Sequence, residues 1–348
     1  MSYNSIKIGN VSIGEEHPPF IIAEMSGNHN QSLERALEIV EKAAESGAHA
    51  IKLQTYTADT MTMPGVFKIE DEKSLWNGRE LYELYKEAYT PWEWHKQIFE
   101  HARKLGLIAF STPFDESAVD FLEDLGVQAY KIASFENTDL PLIKKVASKN
   151  KPVIISTGAA NLSEIDIAVN TLKSYGCNEV ILLKCTSTYP SSPENSNILT
   201  IPHMSQLFNC QVGLSDHTMG IGVSVASVAL GARVIEKHFT LSRKDGGVDS
   251  AFSIEPHELK NLVIETERAF YGLGKIQYGI QKSEKNSLNF KRSIFASKDI
   301  KSGESLSIEN TRIIRPGIGL APRYYELILG KTAKFEIKAG QPILWDMI

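Results

Sequence analysis

The chain has 348 residues, 42% of them hydrophobic and 23% charged, with a formal net charge of -5. That composition suits a soluble protein with one large core and a small extra domain; it argues against nucleic acid as a partner, and no apolar stretch is long enough for a membrane span. Three cysteines in no C-x-x-C pair, and an N-terminus (MSYNSIKIGN) without a basic-then-apolar leader, argue against a disulfide frame and point to the reducing cytoplasm.

In chain order, the strand-like run FIIAEMS (20–26) precedes an amphipathic helix over 32–47 that closes on a glycine. AIKLQTY (50–56) is the second strand. The stretch TPWEWHKQIFEHARKLG (90–106) reads as a helix, with Thr90 as its cap, Pro91 at the first helical position and Glu93 completing a capping box. LIAFSTPF (107–114), AYKIASFE (129–136) and PVIISTG (152–158) follow, then a helix over 162–176. VILLKCTS (180–187), QVGLSDHT (211–218) and VIEKHFTL (234–241) complete the strands, and a helix over 256–274 closes the series. Most of these strands are nearly continuous apolar runs, as expected of parallel strands covered on both faces. Eight such units predict an α/β chain forming a (β/α)8 TIM barrel. A doubly wound open sheet is the alternative, but no Gly-rich nucleotide fingerprint supports it.

The barrel is expected over 1–280, a polar linker over 281–289, and a small β-rich module over 290–348. In the module DIKSGESLS (299–307) is echoed by EIKAGQPIL (336–344), each a strand, a Lys-small-Gly turn and another strand.

Active sites of such barrels lie at the C-terminal ends of the strands, and here every end is polar. They offer Glu24, Asn28, His29 and Asn30, then Lys52, Gln54 and Thr55, then Ser111, Thr112 and Asp115. Lys131, Ser134, Glu136, Ser156 and Thr157 come next, followed by Lys184, Thr186, Ser187 and Tyr189. Ser215, Asp216, His217, Glu236, Lys237 and His238 complete the ring. The even strands share KLQT, KIAS, KCTS and KHFT, each with a hydroxyl three residues after a lysine. A lysine inside an apolar strand is costly to bury unless an anion meets it. The repeated pattern therefore reads as a pocket for phosphate and carboxylate. His217 and His238, at the ends of adjacent strands, suit a divalent ion such as manganese. Asp216 and Lys237 alternate with them and are expected to support the outer layer, while Glu236 shares the parity of His238.

The motifs IIAEMSGNHNQSLERA, AIKLQTYTADTMT, FSTPFDESAVDFLE, YKIASFENTDLPLI, VIISTG, CTSTYPSSPE, VGLSDHT and VIEKHFTL resemble, in order and spacing, the bacterial sialic acid (N-acetylneuraminate) synthase family. The C-terminal part, with RPGIGLAP, resembles that family's SAF (antifreeze-like) domain. The match runs over almost the whole chain. SLWNGRELYELYKEAYTPWEWH and GGVDSAFSIEP are most similar to the branch that uses a 2,4-diacetamido-2,4,6-trideoxy-altrose. Ser26-Gly27 and Gln31 depart from the GxNHNG of the neuraminic and legionaminic acid branches.

The resemblance implies condensation of phosphoenolpyruvate with that acylamino hexose and release of phosphate. It implies a phosphoenolpyruvate pocket of Lys52, Thr112, Lys131, Ser134, Ser156, Ser187, Tyr189 and Ser215. Lys184 joins the pocket through the strand-lysine pattern. Carboxylates Glu24, Glu136 and Asp249 are implied around the sugar and the reacting centre, with His217 and His238 as metal ligands. Ser187 stands where the family often has Asn. Arg315 matches the arginine that the SAF domain lends to a neighbouring subunit, so a domain-swapped homodimer is expected. The competing readings are a neuraminate or legionaminate synthase, a metal-dependent aldolase or hydrolase on the same barrel, and a non-catalytic sugar-binding protein.

Overall fold

The computed structural model describes residues 5–72 and 74–348; the first four residues of the N-terminal stretch considered above lie outside it. The chain divides into two units, Met1–Gly274 and Lys275–Ile348.

The first unit opens with an antiparallel hairpin, β1 (Ile6–Ile8) and β2 (Val11–Ile13), whose isoleucines join the barrel core. Eight parallel strands follow: β3 (Phe20–Glu24), β4 (Ala50–Thr55), β5 (Ile108–Pro113), β6 (Tyr130–Ile132), β7 (Val153–Ser156), β8 (Val180–Cys185), β9 (Gln211–Ser215) and β10 (Val234–His238). They close in sequence order, β10 returning to β3 through Val234↔Phe20 and His238↔Glu24. This is the (β/α)8 barrel expected from the alternating runs. Each strand ends before its apolar run does, because the polar residues at its tip turn into a loop. Met25 is the last residue before Ser26–His29 coils into a 3-10 turn, and Ser134–Glu136 does the same after β6.

Local chemistry explains most of the helices. Ser32 accepts from Arg35 N at the start of Leu33–Glu45. Asn161 and Glu164 form a reciprocal capping box on Leu162–Ser174, and Glu255 and Glu258 another on Pro256–Leu273. The helix expected over 90–106 runs over Trp92–Lys104 with Pro91 as its cap. Thr90 does not cap it; its hydroxyl meets His29 Nε2 at 3.2 Å. Among the described residues no helix is long and apolar enough to cross a membrane, and all three cysteines are free and buried.

The second unit has its own core, centred on Ile294, Ile300, Leu306, Ile328, Ile337 and Ile343. β11 (Ser293–Ala296) and β12 (Thr311–Ile314) form its antiparallel ribbon. The two echoing segments pair with each other, Ile300 and Ile337 exchanging both backbone hydrogen bonds at 2.8 Å. Each then turns through a left-handed glycine, Gly303 or Gly340, with the lysine N–H donating to a side chain three residues on (Glu304 or Gln341). Apart from that ribbon the module pairs through isolated bridges rather than long strands. The segment 281–289 contains most of an exposed 3-10 helix, Lys282–Phe290.

Candidate active site

Successive residues of a strand face opposite sides, and this decides which polar strand ends meet inside the barrel. Glu24, Lys52, Gln54, Thr112, Lys131, Ser156, Cys185, Ser215, His217, Glu236 and His238 point inward, and with Ser134 and Tyr189 they line one small polar pocket. Their neighbours point outward. Thr55 bonds Ser111 at 2.6 Å and His95 at 2.8 Å, and Thr157 bonds the Leu183 carbonyl. Lys237 pairs with Asp216 at 3.0 Å behind the pocket, with Ser224 and Thr218 also on that carboxylate. Asp216 and Lys237 therefore do support the outer layer.

Lys184 also points outward. Its amine donates to the Cys185 carbonyl and to Thr186, and it lines a separate cavity against the helix Thr200–Phe208. The expectation that it joins the phosphoenolpyruvate pocket is corrected here. A hydroxyl three residues after a strand lysine lies on the opposite face, so KLQT delivers only Lys52 to the pocket, and KCTS delivers neither group, since Ser187 lines the same separate cavity as Lys184. KIAS delivers both because Ser134 lies past the strand end, on the 3-10 turn.

The inner pocket holds four buried charges. Lys52 Nζ lies 2.6 Å from Glu24 and 3.5 Å from Glu236, and Lys131 Nζ lies 3.9 Å from Glu236. Lys52 also donates to Thr112 at 3.2 Å, and Lys131 to Ser156 at 2.6 Å. Burial pushes Glu24 up to about 7, even with Lys52 pulling it down. For Glu236 burial acts in the same sense, but Lys131 and Lys52 outweigh it and hold the carboxyl below its usual range. Two lysines thus face one ionised carboxylate and one that titrates near neutrality, leaving positive potential for an anionic ligand.

The two histidines converge beside this cluster with ring centroids 5.4 Å apart. His217 donates from Nδ1 to the Thr186 carbonyl at 3.0 Å, which leaves the Nε2 lone pair free. His238 Nδ1 is buried without a hydrogen-bond partner, 4.0 Å from Asp249. A fixed tautomer and an orphaned buried nitrogen fit a bound divalent ion. Among the described residues the cluster Glu255, His257 and Glu258 also brings three possible ligands together, but it lies apart, at the start of the last barrel helix, where Arg243 engages both glutamates.

Above the inner pocket opens a cavity of about 370 Å³ that shares Gln54, Ala133, Tyr189 and His238 with it. Its walls are mostly carbon, from residues such as Phe114, Phe135 and Phe252. Two carboxylates interrupt them. Glu136 is raised to about 7, chiefly by burial. Asp249 is raised in the same direction for the same reason, and it accepts from the Ser26 hydroxyl. A polar floor for an anion beneath a carbon-walled, carboxylate-bearing chamber can hold two different substrates edge to edge.

Asn28, His29 and Asn30 do not face either pocket. Asn28 ties the first loop to the Phe239 carbonyl and Ser253, Asn30 reaches Gly246, and His29, held by burial near a pKa of about 4, bonds Thr90. Gln31, with a left-handed φ of 55°, clamps the carbonyls of Glu87 and Tyr89. Asp115 caps the next helix, and Arg315 belongs to the C-terminal unit. Cys185 is a pocket residue that the strand-end analysis passed over. Its place next to the outward-facing Lys184 in the alternation of β8 is the signal that would have found it.

The pattern of the NeuB family matches residues 39–278, and that of the SAF domain matches residues 291–348. The chain is 43% identical to a pseudaminic acid synthase of Campylobacter jejuni over 341 residues, 97% of this chain and 98% of that protein. It is 40% identical to the N,N'-diacetyllegionaminic acid synthase of Legionella pneumophila, with 94% of each chain covered. The crystal structure of N-acetylneuraminic acid synthetase from Leptospira borgpetersenii, in complex with citrate, superposes with a TM-score of 0.74 at 34% identity, covering 82% of this chain and 96% of that one.

Proposed function

Because the chain belongs to the NeuB family and carries a SAF domain, we propose that it acts as a pseudaminic acid synthase. It condenses phosphoenolpyruvate with 2,4-diacetamido-2,4,6-trideoxy-β-L-altropyranose and water, giving pseudaminate and phosphate, which makes it a transferase, and it works in the cytoplasm. The observation that carries the reading is the pairing of a lysine-rich polar floor with a carbon-walled upper chamber, in a chain 43% identical to a pseudaminic acid synthase.

Lys52, Lys131, Thr112, Ser134, Ser156 and Ser215 would hold the phosphate and carboxylate of phosphoenolpyruvate, with Tyr189 between the two chambers. Held there, C3 of the enol phosphate attacks the aldehyde carbon of the open-chain sugar, and the new hydroxyl takes up a proton. Water then adds at C2 and loses a proton, and the tetrahedral centre collapses to the ketone as the C2–O bond to phosphate breaks. His217 and His238 would hold a divalent ion, manganese or a similar metal, supplying Lewis-acid polarisation of the aldehyde. Glu24 and Glu136, both near 7, are suited to give and take protons at neutral pH. Lysines and hydroxyls fixed around the phosphate stabilise the charge it carries away.

Arg315 would reach a neighbouring subunit's acceptor site across a two-fold dimer. The test is phosphate release with phosphoenolpyruvate and the altrose-configured sugar, followed by mass spectrometry of the product. Equal or faster turnover of the legionaminic acid precursor would replace this reading with that of the Legionella relative. Phosphate released without any sugar would remove the synthase assignment.

A further inference from the structure

Three of the lysines on the even strands meet a carboxylate: Lys52 meets Glu24 and Glu236, Lys131 meets Glu236, and Lys237 meets Asp216. Lys184 forms no ion pair among the described residues. Its amine commits two of its three N–H groups, to the Cys185 carbonyl at 2.8 Å and to Thr186 at 3.2 Å, and the third is left over. Burial holds its pKa below the usual lysine value, with Cys185 acting the other way. A half-buried ammonium with no opposite charge is costly to keep, and an anion removes that cost.

The cavity that Lys184 lines, about 410 Å³, also presents the Ser187 and Thr200 hydroxyls and the His203 imidazole, and no carboxylate lines it. Carbon from residues such as Ile165 and Phe208 walls the other end and offers an anion nothing. The cavity backs onto the inner pocket, since Cys185 lines both. Gly158 marks where the two approach. A side chain there would collide with the hydroxyls of Ser134, which lines the inner pocket, and of Ser187, which lines the outer cavity.

We propose that the Lys184 end of this cavity is a second anion site, which takes the inorganic phosphate released in the inner pocket next to it. A phosphate dianion supplies the charge that Lys184 lacks and accepts from its spare N–H, while Ser187, Thr200 and His203 offer further donors. The source of the phosphate rests on the synthase reading above; the site itself rests on the unpaired lysine and the cavity in front of it.

The experiment is equilibrium dialysis of radiolabelled inorganic phosphate against the full-length protein loaded with a divalent ion, with and without saturating phosphoenolpyruvate. The wild-type protein should bind two phosphates per chain, of which phosphoenolpyruvate displaces one. Lys184→Met should weaken the undisplaced phosphate by about tenfold or more and leave the displaceable one alone. Circular dichroism verifies folding. His203→Ala, a change at an exposed residue, stands in if Lys184→Met does not fold, and should weaken the same phosphate by about threefold or more. A single phosphate wholly displaced by phosphoenolpyruvate, or a second one that keeps its affinity in Lys184→Met, overturns the proposal and leaves the synthase reading intact. Displacement of both by phosphoenolpyruvate overturns the assignment to free phosphate. If phosphoenolpyruvate displaces neither while Lys184→Met still loses one, the second site stands and the synthase reading falls.

Discussion

Glu136 gives a test in which the sign as well as the size is fixed by the structure. Its carboxyl is partly buried with Oε2 unpartnered, and burial raises its pKa from an ordinary 4.5 to about 7. Lys131 and a backbone hydrogen bond pull it down without outweighing burial, and Asp139 adds to the rise. A carboxyl raised on folding favours the native state in its protonated form. Its contribution is therefore complete below its ordinary pKa and is lost as the pH climbs through about 7. Between about pH 5 and about pH 8 the expected loss is about 2.5 kcal/mol. Glu136→Gln keeps the shape and removes the titration, so the variant should gain that much over wild type across the same interval. Urea unfolding followed by far-UV circular dichroism reads mainly the barrel, which holds all the long helices. Glu24 titrates near the same pH in both proteins and cancels in the difference. A stability difference, variant minus wild type, that stays constant with pH, or that falls as pH rises, would refute the assigned burial effect.

Lys131→Met should lower kcat/KM for phosphoenolpyruvate by about 2 kcal/mol or more while barely touching the acceptor KM; steady-state kinetics on both substrates decides. Removing divalent ions with a chelator should abolish turnover, and His217→Ala or His238→Ala should lose metal binding by calorimetry with little change in Tm. Full activity after chelation would end the metal reading. Lys237→Met strands Asp216 in the interior and should cost about 3–5 kcal/mol of stability, with activity lost only in proportion to unfolding; a native Tm with dead chemistry would contradict its outward role. Arg315→Ala and His217→Ala proteins, each nearly inactive, should recover part of the activity when mixed if subunits exchange and share sites. Verified exchange without recovery would confine Arg315 to its own subunit.

The barrel was legible because parallel strands buried on both faces leave nearly continuous apolar runs, and because glycines and capping pairs mark the helix ends. The hairpin Ile6–Ile13 was not, since three-residue strands carry too little pattern. Inward residues were legible wherever alternation was applied strictly, as for Asp216 against His217 and Lys237 against His238. Where a composition motif was followed instead, Lys184 was drawn into a pocket it does not face, and Cys185 was missed. Thr90 looked like a cap because its local sequence permits one. The contact that claims it, His29, comes from a loop 61 positions away, which no local pattern encodes. The upper cavity was invisible in the sequence for a related reason. Its walls come from six separate loops, and among the described residues the excursion over 57–88 has no strand or long helix to announce it.

The alternation along β9 and β10 also shapes how this gene can vary. At Ser215, His217, Glu236 and His238 a substitution meets the ligand pocket, whereas at Asp216 and Lys237 it meets the packing between barrel and helices. Abundance and turnover are therefore screened at alternate codons of the same short segments. A saturation library scored separately for soluble yield and for product should show the two sensitivities interleaved with a period of two. An activity screen alone would merge them into one uniformly intolerant stretch and hide which positions are open to redesign.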